Sequence, residues 1–118
     1  MLAIVFGEEG GAKAARQIGL VDEAVSSNLL EAELRAAALR EQVELDDEVL
    51  TALSWVLPDR PLTAEIEAVL RVGYLRGADL WHLACALYVF GDVKERLFLS
   101  LGERQRGAAE RLGFIIGP

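Results

Sequence analysis

Two carboxylates in this sequence stand where they could do chemistry. Asp79 lies near the start of residues 76–90, which are apolar almost all round and are therefore predicted to form a buried helix. Glu33 lies among apolar residues on the inward face of a second predicted helix, residues 29–42. A carboxylate in such a place is unfavourable unless a partner neutralises it, and a divalent cation is one such partner. Two carboxylates that hold Mg²⁺ could generate a hydroxide for phosphodiester cleavage.

Each carboxylate also has a purely structural interpretation. Asp79 could cap its helix, because the first N–H groups of a helix have no partner within it. Glu33 could keep its stem on the core and its head in water. Other site types fail: His82 is the only histidine and is expected to be a core residue with one hydrogen bond, so a His-rich zinc site is excluded. Cys85 is expected to be buried without a well-placed base, which makes it a poor nucleophile.

Composition limits the class of protein. The 118 residues are predicted to form a single domain over residues 1–118. No apolar run reaches about 18 residues without a charge, so no membrane span is expected. One cysteine and the lack of a signal-peptide pattern favour a cytoplasmic protein. The net charge of −7 argues against a basic nucleic-acid-binding surface, although metal ions in an acidic pocket would still permit action on nucleic acid.

Helix and strand patterns alternate along the chain without a hairpin signal. Helices are predicted over residues 12–18, 29–42, a segment capped by Thr63, 76–90 and 103–112, and strands over residues 20–25, 54–57, 96–101 and 114–116. Residues 1–6 are interpreted as a short helix or the end of a strand, and residues 26–28 offer three caps for the helix at 29–42. The alternation indicates a short parallel sheet in a three-layer α/β/α fold. Ligands bind such sheets beyond the carboxyl ends of the strands.

Three segments resemble the PIN domain, and within it the VapC-type toxin ribonucleases of toxin–antitoxin pairs. They are VSSNLLEAELR, LRGADLWHLA and LFLSLGERQR, at residues 25–35, 75–84 and 97–106. Their order and spacing agree with the family, and the resemblance covers residues 1–116. It implies a PIN-like α/β/α fold and a nuclease that hydrolyses RNA with Mg²⁺ or Mn²⁺ as cofactor.

The same resemblance assigns roles to residues and partners. It implies that Glu33 and Asp79 are catalytic residues and metal ligands, and that Ser100 and Arg104 support the site or hold phosphate. It also implies an RNA substrate, an antitoxin protein as partner, and a homodimer.

The sequence departs from the family at two acidic positions. The family has a first strand that carries an Asp just before a segment like residues 2–8, and this chain begins at Met1, inside that segment. We therefore expect an N-terminally shortened PIN-like fold in which the first strand is missing. Because that strand is central in the family's sheet, its neighbours are expected to expose edges that need cover. The family also has an acid where this chain has Gly102.

Two functions follow from these observations. The first is a PIN-domain endoribonuclease, the toxin of a toxin–antitoxin pair, weakened by the two missing acids. The alternative is a catalytically degenerate PIN-fold binding protein that retains only its partner surface. A receiver-like domain is disfavoured because no lysine lies near the end of a late strand. The ribonuclease requires Glu33 and Asp79 to converge on one pocket at the rim of the sheet.

Overall fold

A five-stranded, all-parallel sheet forms the centre of the computed structural model, which describes residues 2–5, 23–44, 51, 53–100 and 102–117. The strands are β1 (Leu2–Val5), β2 (Glu23–Ser27), β3 (Leu53–Val56), β4 (Leu97–Leu99) and β5 (Ile115–Ile116). The helices are α1 (Asn28–Glu41), α2 (Thr63–Val72), α3 (Gly77–Phe90) and α4 (Glu103–Leu112). The spatial order of the strands is β3-β2-β1-β4-β5.

The predicted three-layer α/β class is confirmed, and most elements lie close to their predicted bounds. The helix predicted over residues 103–112 is α4 with the same bounds, and α1 begins and ends one residue earlier than predicted. β2 extends to Ser27 because its last residues pair with β3. Thr63 is the first residue of α2 and not its cap, since Leu62 precedes the helix without a side-chain hydrogen bond. The helix predicted over residues 12–18 lies outside the described residues.

The centre of the sheet is occupied, which corrects the expectation that the strands on either side of it expose their edges. Leu2–Val5 forms β1, and Ala3 pairs with Ala24 of β2 on one side and with Leu97 of β4 on the other. Both neighbouring edges are therefore paired within the chain. A short apolar run suits a parallel strand that is covered on both faces. The sequence of β1, Leu-Ala-Ile-Val, contains no carboxylate, so it does not supply the acid that the family carries on its first strand.

Helices cover both faces of the sheet. Phe98 and Leu99, neighbours on β4, point to opposite faces as successive strand residues do. Leu99 packs with Leu30 of α1 and Leu53 of β3. On the other face, the largest core cluster joins α2, α3 and α4 to β4 and β5, and it consists of Val69, Leu75, Leu83, Ala86, Val93, Phe98, Ala108, Ala109 and Phe114. No helix in the described part of the chain has both the length and the apolar character needed to span a membrane.

Candidate functional site

The predicted site residues lie around the carboxyl-terminal edge of the sheet. Glu33 is in the second turn of α1, which follows β2 directly. Asp79 is in the first turn of α3, and Ser100 immediately follows β4. Because all strands are parallel, the ends of β2 and β4 are at the same edge, on either side of β1.

The carboxylate of Glu33 is held by the imidazole of His82. The His82 Nε2 atom lies 2.6 Å from Glu33 Oε1, and a carboxylate can only accept, so the ring nitrogen donates. The Glu33 side chain is 18% exposed and the His82 side chain is 0% exposed. Glu33 therefore reaches from α1 to α3, and most of its side chain is covered.

The other nitrogen of the same ring contacts the end of β2. His82 Nδ1 lies 2.6 Å from Ser27 Oγ, and that hydroxyl also accepts the backbone N–H of Leu29 at 3.2 Å. Ser27 is thus the cap of α1 as well as the last residue of β2. One side chain consequently fixes both the start of α1 and one side of the imidazole.

Asp79 is exposed, which corrects the expectation that its carboxylate is buried or half-buried. It does not cap α3 either, because Arg76 precedes the helix and no side-chain cap bond is made there. Among the described residues, its carboxylate makes no hydrogen bond or ion pair. The α3 dipole still favours a negative charge in this first turn.

Glu33 and Asp79 approach the same end of α3. Asp79 and His82 are three residues apart on that helix, and residues so spaced have Cβ atoms about 5–6 Å apart on one face. Glu33 contacts His82 directly. Glu33, 46 positions before Asp79 in the sequence, thus contacts the second turn of α3, the turn that follows the one bearing Asp79.

Ser100 belongs to a hydrogen-bonded link between β4 and α3. Its hydroxyl donates to Gln105 Oε1 at 2.6 Å and accepts the backbone N–H of Gly102 at 3.1 Å. Gln105 Nε2 in turn donates to the backbone oxygen of Asp79 at 3.1 Å. Ser100 thus positions the first turn of α3 through Gln105, a buried polar residue that the sequence reasoning did not identify.

Arg104 lies on a neighbouring surface. It lines a cavity of about 330 Å³ together with Gly73, Tyr74 and Arg111. Tyr74 is 65% exposed, and Arg111 Nε donates to the backbone oxygen of Val72 at 2.6 Å, which leaves its charge at the end of α2. Within the part of the chain that the structure describes, the Arg104 guanidinium has no carboxylate partner. The cavity combines an aromatic face with two positive charges.

Gly102, at the position where the family carries an acid, has room for a side chain. Its backbone angles are φ −74° and ψ 120°, which any L-residue can adopt. A Cβ there would lie 3.7 Å from Ser100 Oγ and 3.8 Å from Gln105 Cβ, both ordinary contacts. Space therefore does not exclude the missing acid.

Cys85 is buried in α3, as predicted, and is no nucleophile. Burial raises the pKa of its thiol to about 12, so the thiolate is scarce at neutral pH.

The donor set suits a cation that is completed by water and phosphate. Within residues 23–44, 53–100 and 102–117, no group of three His, Cys, Asp or Glu side chains is arranged to hold a metal. Mg²⁺ is commonly bound by one or two carboxylates while it keeps several waters or takes substrate phosphate. Asp79 offers an exposed carboxylate, and Glu33 offers Oε2, the oxygen that His82 does not engage. Each of the two residues therefore offers a carboxylate oxygen of the kind that such a cation takes.

Sequence reasoning favoured His82 as a core histidine with one hydrogen bond over a direct role, whereas the imidazole bonds on both sides. Its spacing of three residues from Asp79 was the signal that could have placed it beside the site. Ser27 was weighed only as one of three candidate caps. Its second contact, 55 residues away, is invisible to local patterns.

Comparison with known protein families assigns the chain to a family. The sequence matches the PIN domain over residues 1–109, which is most of the chain. Comparison with the curated proteins and with the solved structures gave no match. The family match agrees with the parallel α/β/α sheet and with the carboxylates found at its rim. This chain therefore belongs to the PIN domain family.

Proposed function

We propose that this chain is an endoribonuclease that hydrolyses RNA phosphodiester bonds with the help of Mg²⁺ or Mn²⁺. PIN domains are generally nucleases that depend on divalent metals, and the family implies an RNA substrate. The observation that carries the proposal is the approach of Glu33, through His82, to the end of α3 that bears Asp79. A divalent cation bound by these carboxylates would supply an activated water and offset charge on the phosphate.

The residues around the carboxylates have separate tasks in this proposal. Glu33 and Asp79 bind the cation. Ser100 holds the first turn of α3 in place through Gln105. Arg104 binds a phosphate of the RNA, and the exposed ring of Tyr74 offers a face on which a base can stack.

We further propose that the chain is a VapC-type toxin, that it forms a homodimer, and that an antitoxin protein is its partner. These assignments rest on the three sequence segments that resemble that group. Gly102 favours the alternative, a degenerate binding protein, because the site lacks one acid there. Cation binding separates the two functions.

The test is Mg²⁺-dependent cleavage of single-stranded RNA by the wild type and by Asp79→Asn. We expect the substitution to abolish cleavage, because it removes a proposed cation ligand. It should lower the free energy of unfolding by no more than about 1 kcal/mol, because the exposed side chain loses only its interaction with the α3 dipole. Glu110→Gln, at an exposed position on α4, is the matched control for the loss of one negative charge and should cleave like the wild type.

Two results would contradict the ribonuclease. Failure of the wild type to cleave RNA over a wide range of Mn²⁺ concentrations would end the enzyme proposal for this chain. An absence of heat in calorimetric titration with millimolar Mg²⁺ would favour the binding protein.

A further inference from the structure

The single histidine of the chain joins three elements at the rim of the sheet. His82 on α3 contacts Ser27 at the end of β2 through Nδ1 and Glu33 on α1 through Nε2, both at 2.6 Å. We propose that His82 is a positioning residue that fixes the orientation of the Glu33 carboxylate, and that Ser27 in turn fixes the imidazole. The effect on cation affinity rests on the proposed function, whereas the array of bonds does not.

The donors and acceptors of this array assign its hydrogens. Glu33 Oε1 can only accept, so Nε2 carries the shared hydrogen. Ser27 Oγ already accepts the N–H of Leu29, so its own hydrogen is available to Nδ1. The chain of bonds therefore runs from the N–H of Leu29 through Ser27 and His82 to Glu33.

Burial explains why this array can orient a carboxylate. His82 and Ser27 are both 0% exposed, so water does not compete for either ring nitrogen. The bond takes up Oε1 and leaves Oε2 for a ligand. Loss of a hydrogen-bond partner of a ligating residue typically costs about 10–100-fold in metal affinity.

A serine, a histidine and an acid in contact could also be interpreted as a nucleophilic triad, but the burial of Ser27 excludes that interpretation here. Ser27 is completely buried and caps α1, so its hydroxyl cannot reach a substrate. The array is thus a support for Glu33 and not a nucleophilic triad.

Two substitutions of His82 each keep one of these two contacts and remove the other. His82→Gln places an amide N–H near the position of Nε2 and can still donate to Glu33. His82→Asn is one carbon shorter, so its amide lies near Nδ1 and reaches only Ser27. His82→Gln leaves the buried Ser27 hydroxyl without its bond and His82→Asn leaves the Glu33 carboxylate without its bond, so we expect both variants to lose stability, which thermal unfolding will compare.

Calorimetric titration with Mn²⁺ tests the positioning role. We expect His82→Gln to bind Mn²⁺ within about threefold of the wild type and His82→Asn to bind it about 10–100-fold more weakly. A role limited to the core predicts equal affinities for the two folded variants, and that result would overturn the proposal.

Nuclear magnetic resonance of the wild type tests the array without metal or RNA. With ¹⁵N-labelled histidine the spectrum contains one imidazole, because the chain has one histidine. We expect a hydrogen on Nε2 that exchanges slowly with water, and faster exchange in Glu33→Leu. A ring without a hydrogen on Nε2 would overturn the inference. If the wild type binds no Mn²⁺, the proposed function fails and this spectrum alone decides the inference.

Discussion

Glu33 and Asp79 are both carboxylates at the rim, yet their surroundings differ. Glu33 is 18% exposed and bonded to a buried imidazole, whereas Asp79 is exposed and, within the described residues, without a partner. Glu33 thus contributes to both the fold and the proposed site, and Asp79 contributes to the site alone. Their replacement should affect stability very differently.

We expect Glu33→Ala to lower the free energy of unfolding by about 1–3 kcal/mol, because it removes the acceptor of a buried N–H. Asp79→Ala should change it by less than about 0.5 kcal/mol. Urea denaturation measures both, and at each helical position the higher helix propensity of alanine offsets part of the loss. Equal effects would contradict the difference in burial that the structure assigns to them.

At the level of single residues, sequence reasoning identified the carboxylates but not their surroundings. Glu33 was visible because a charge stood among apolar residues at helical spacing. Its bond to His82 joins residues 49 positions apart, and no local pattern encodes such a contact. The exposure of Asp79 was missed because the apolar character of residues 76–90 suggested burial from the first turn, whereas the buried stretch of α3 begins at His82.

Among the elements, α4 links the end of β4 to the first turn of α3. Its first turn carries Gln105, which links Ser100 to Asp79, and its N-cap is Gly102. Glycine has no side chain that can hydrogen-bond to the first N–H groups of the helix. A side chain introduced at this position would lie near Ser100, at the rim of the sheet.

We expect Gly102→Asp to bind Mn²⁺ more tightly than the wild type, by roughly tenfold, because a third carboxylate joins the site. It should also raise the free energy of unfolding by about 0.3–1 kcal/mol, because an acid at the N-terminus of a helix is favourable. Gly102→Asn gives the cap without the charge and is the control. If both variants bind Mn²⁺ like the wild type, α4 does not start beside the site.

The elements themselves were largely predictable from the sequence. The periodicity and the closing glycine gave α4 its bounds, and Gly113 ends it in the left-handed region with φ 108°. The position of Leu2–Val5 was not predictable, because a run of four apolar residues fits a helix end as well as a strand. In the structure this segment pairs with both β2 and β4, whose facing edges would otherwise be unpaired.

The whole molecule carries a net charge of −7, which opposes the approach of RNA. Contact with phosphate must therefore be local. The cavity lined by Arg104, Arg111 and Tyr74 is such a place, and both arginines are on α4, the helix whose Gln105 contacts the first turn of α3.

We expect Arg104→Gln to weaken the binding of single-stranded RNA and to lower the slope of log affinity against log salt by about 0.7, the value for one phosphate contact. The experiment uses 2′-O-methyl RNA, which resists cleavage, in the presence of EDTA. Arg40→Gln, at the last turn of α1, is the control and should leave the slope unchanged. An unchanged slope in Arg104→Gln would remove this cavity from the RNA path.

The central position of β1 has a consequence for how the chain is made. Ala3 pairs with Leu97, more than ninety residues later in synthesis. While the nascent chain emerges from the ribosome, β1 has β2 as its only available neighbour, and its other edge waits for β4. Pairing over such a separation slows folding. The innermost strand, synthesised before the others described, is thus secured on its second side only after residues 97–99 have been translated.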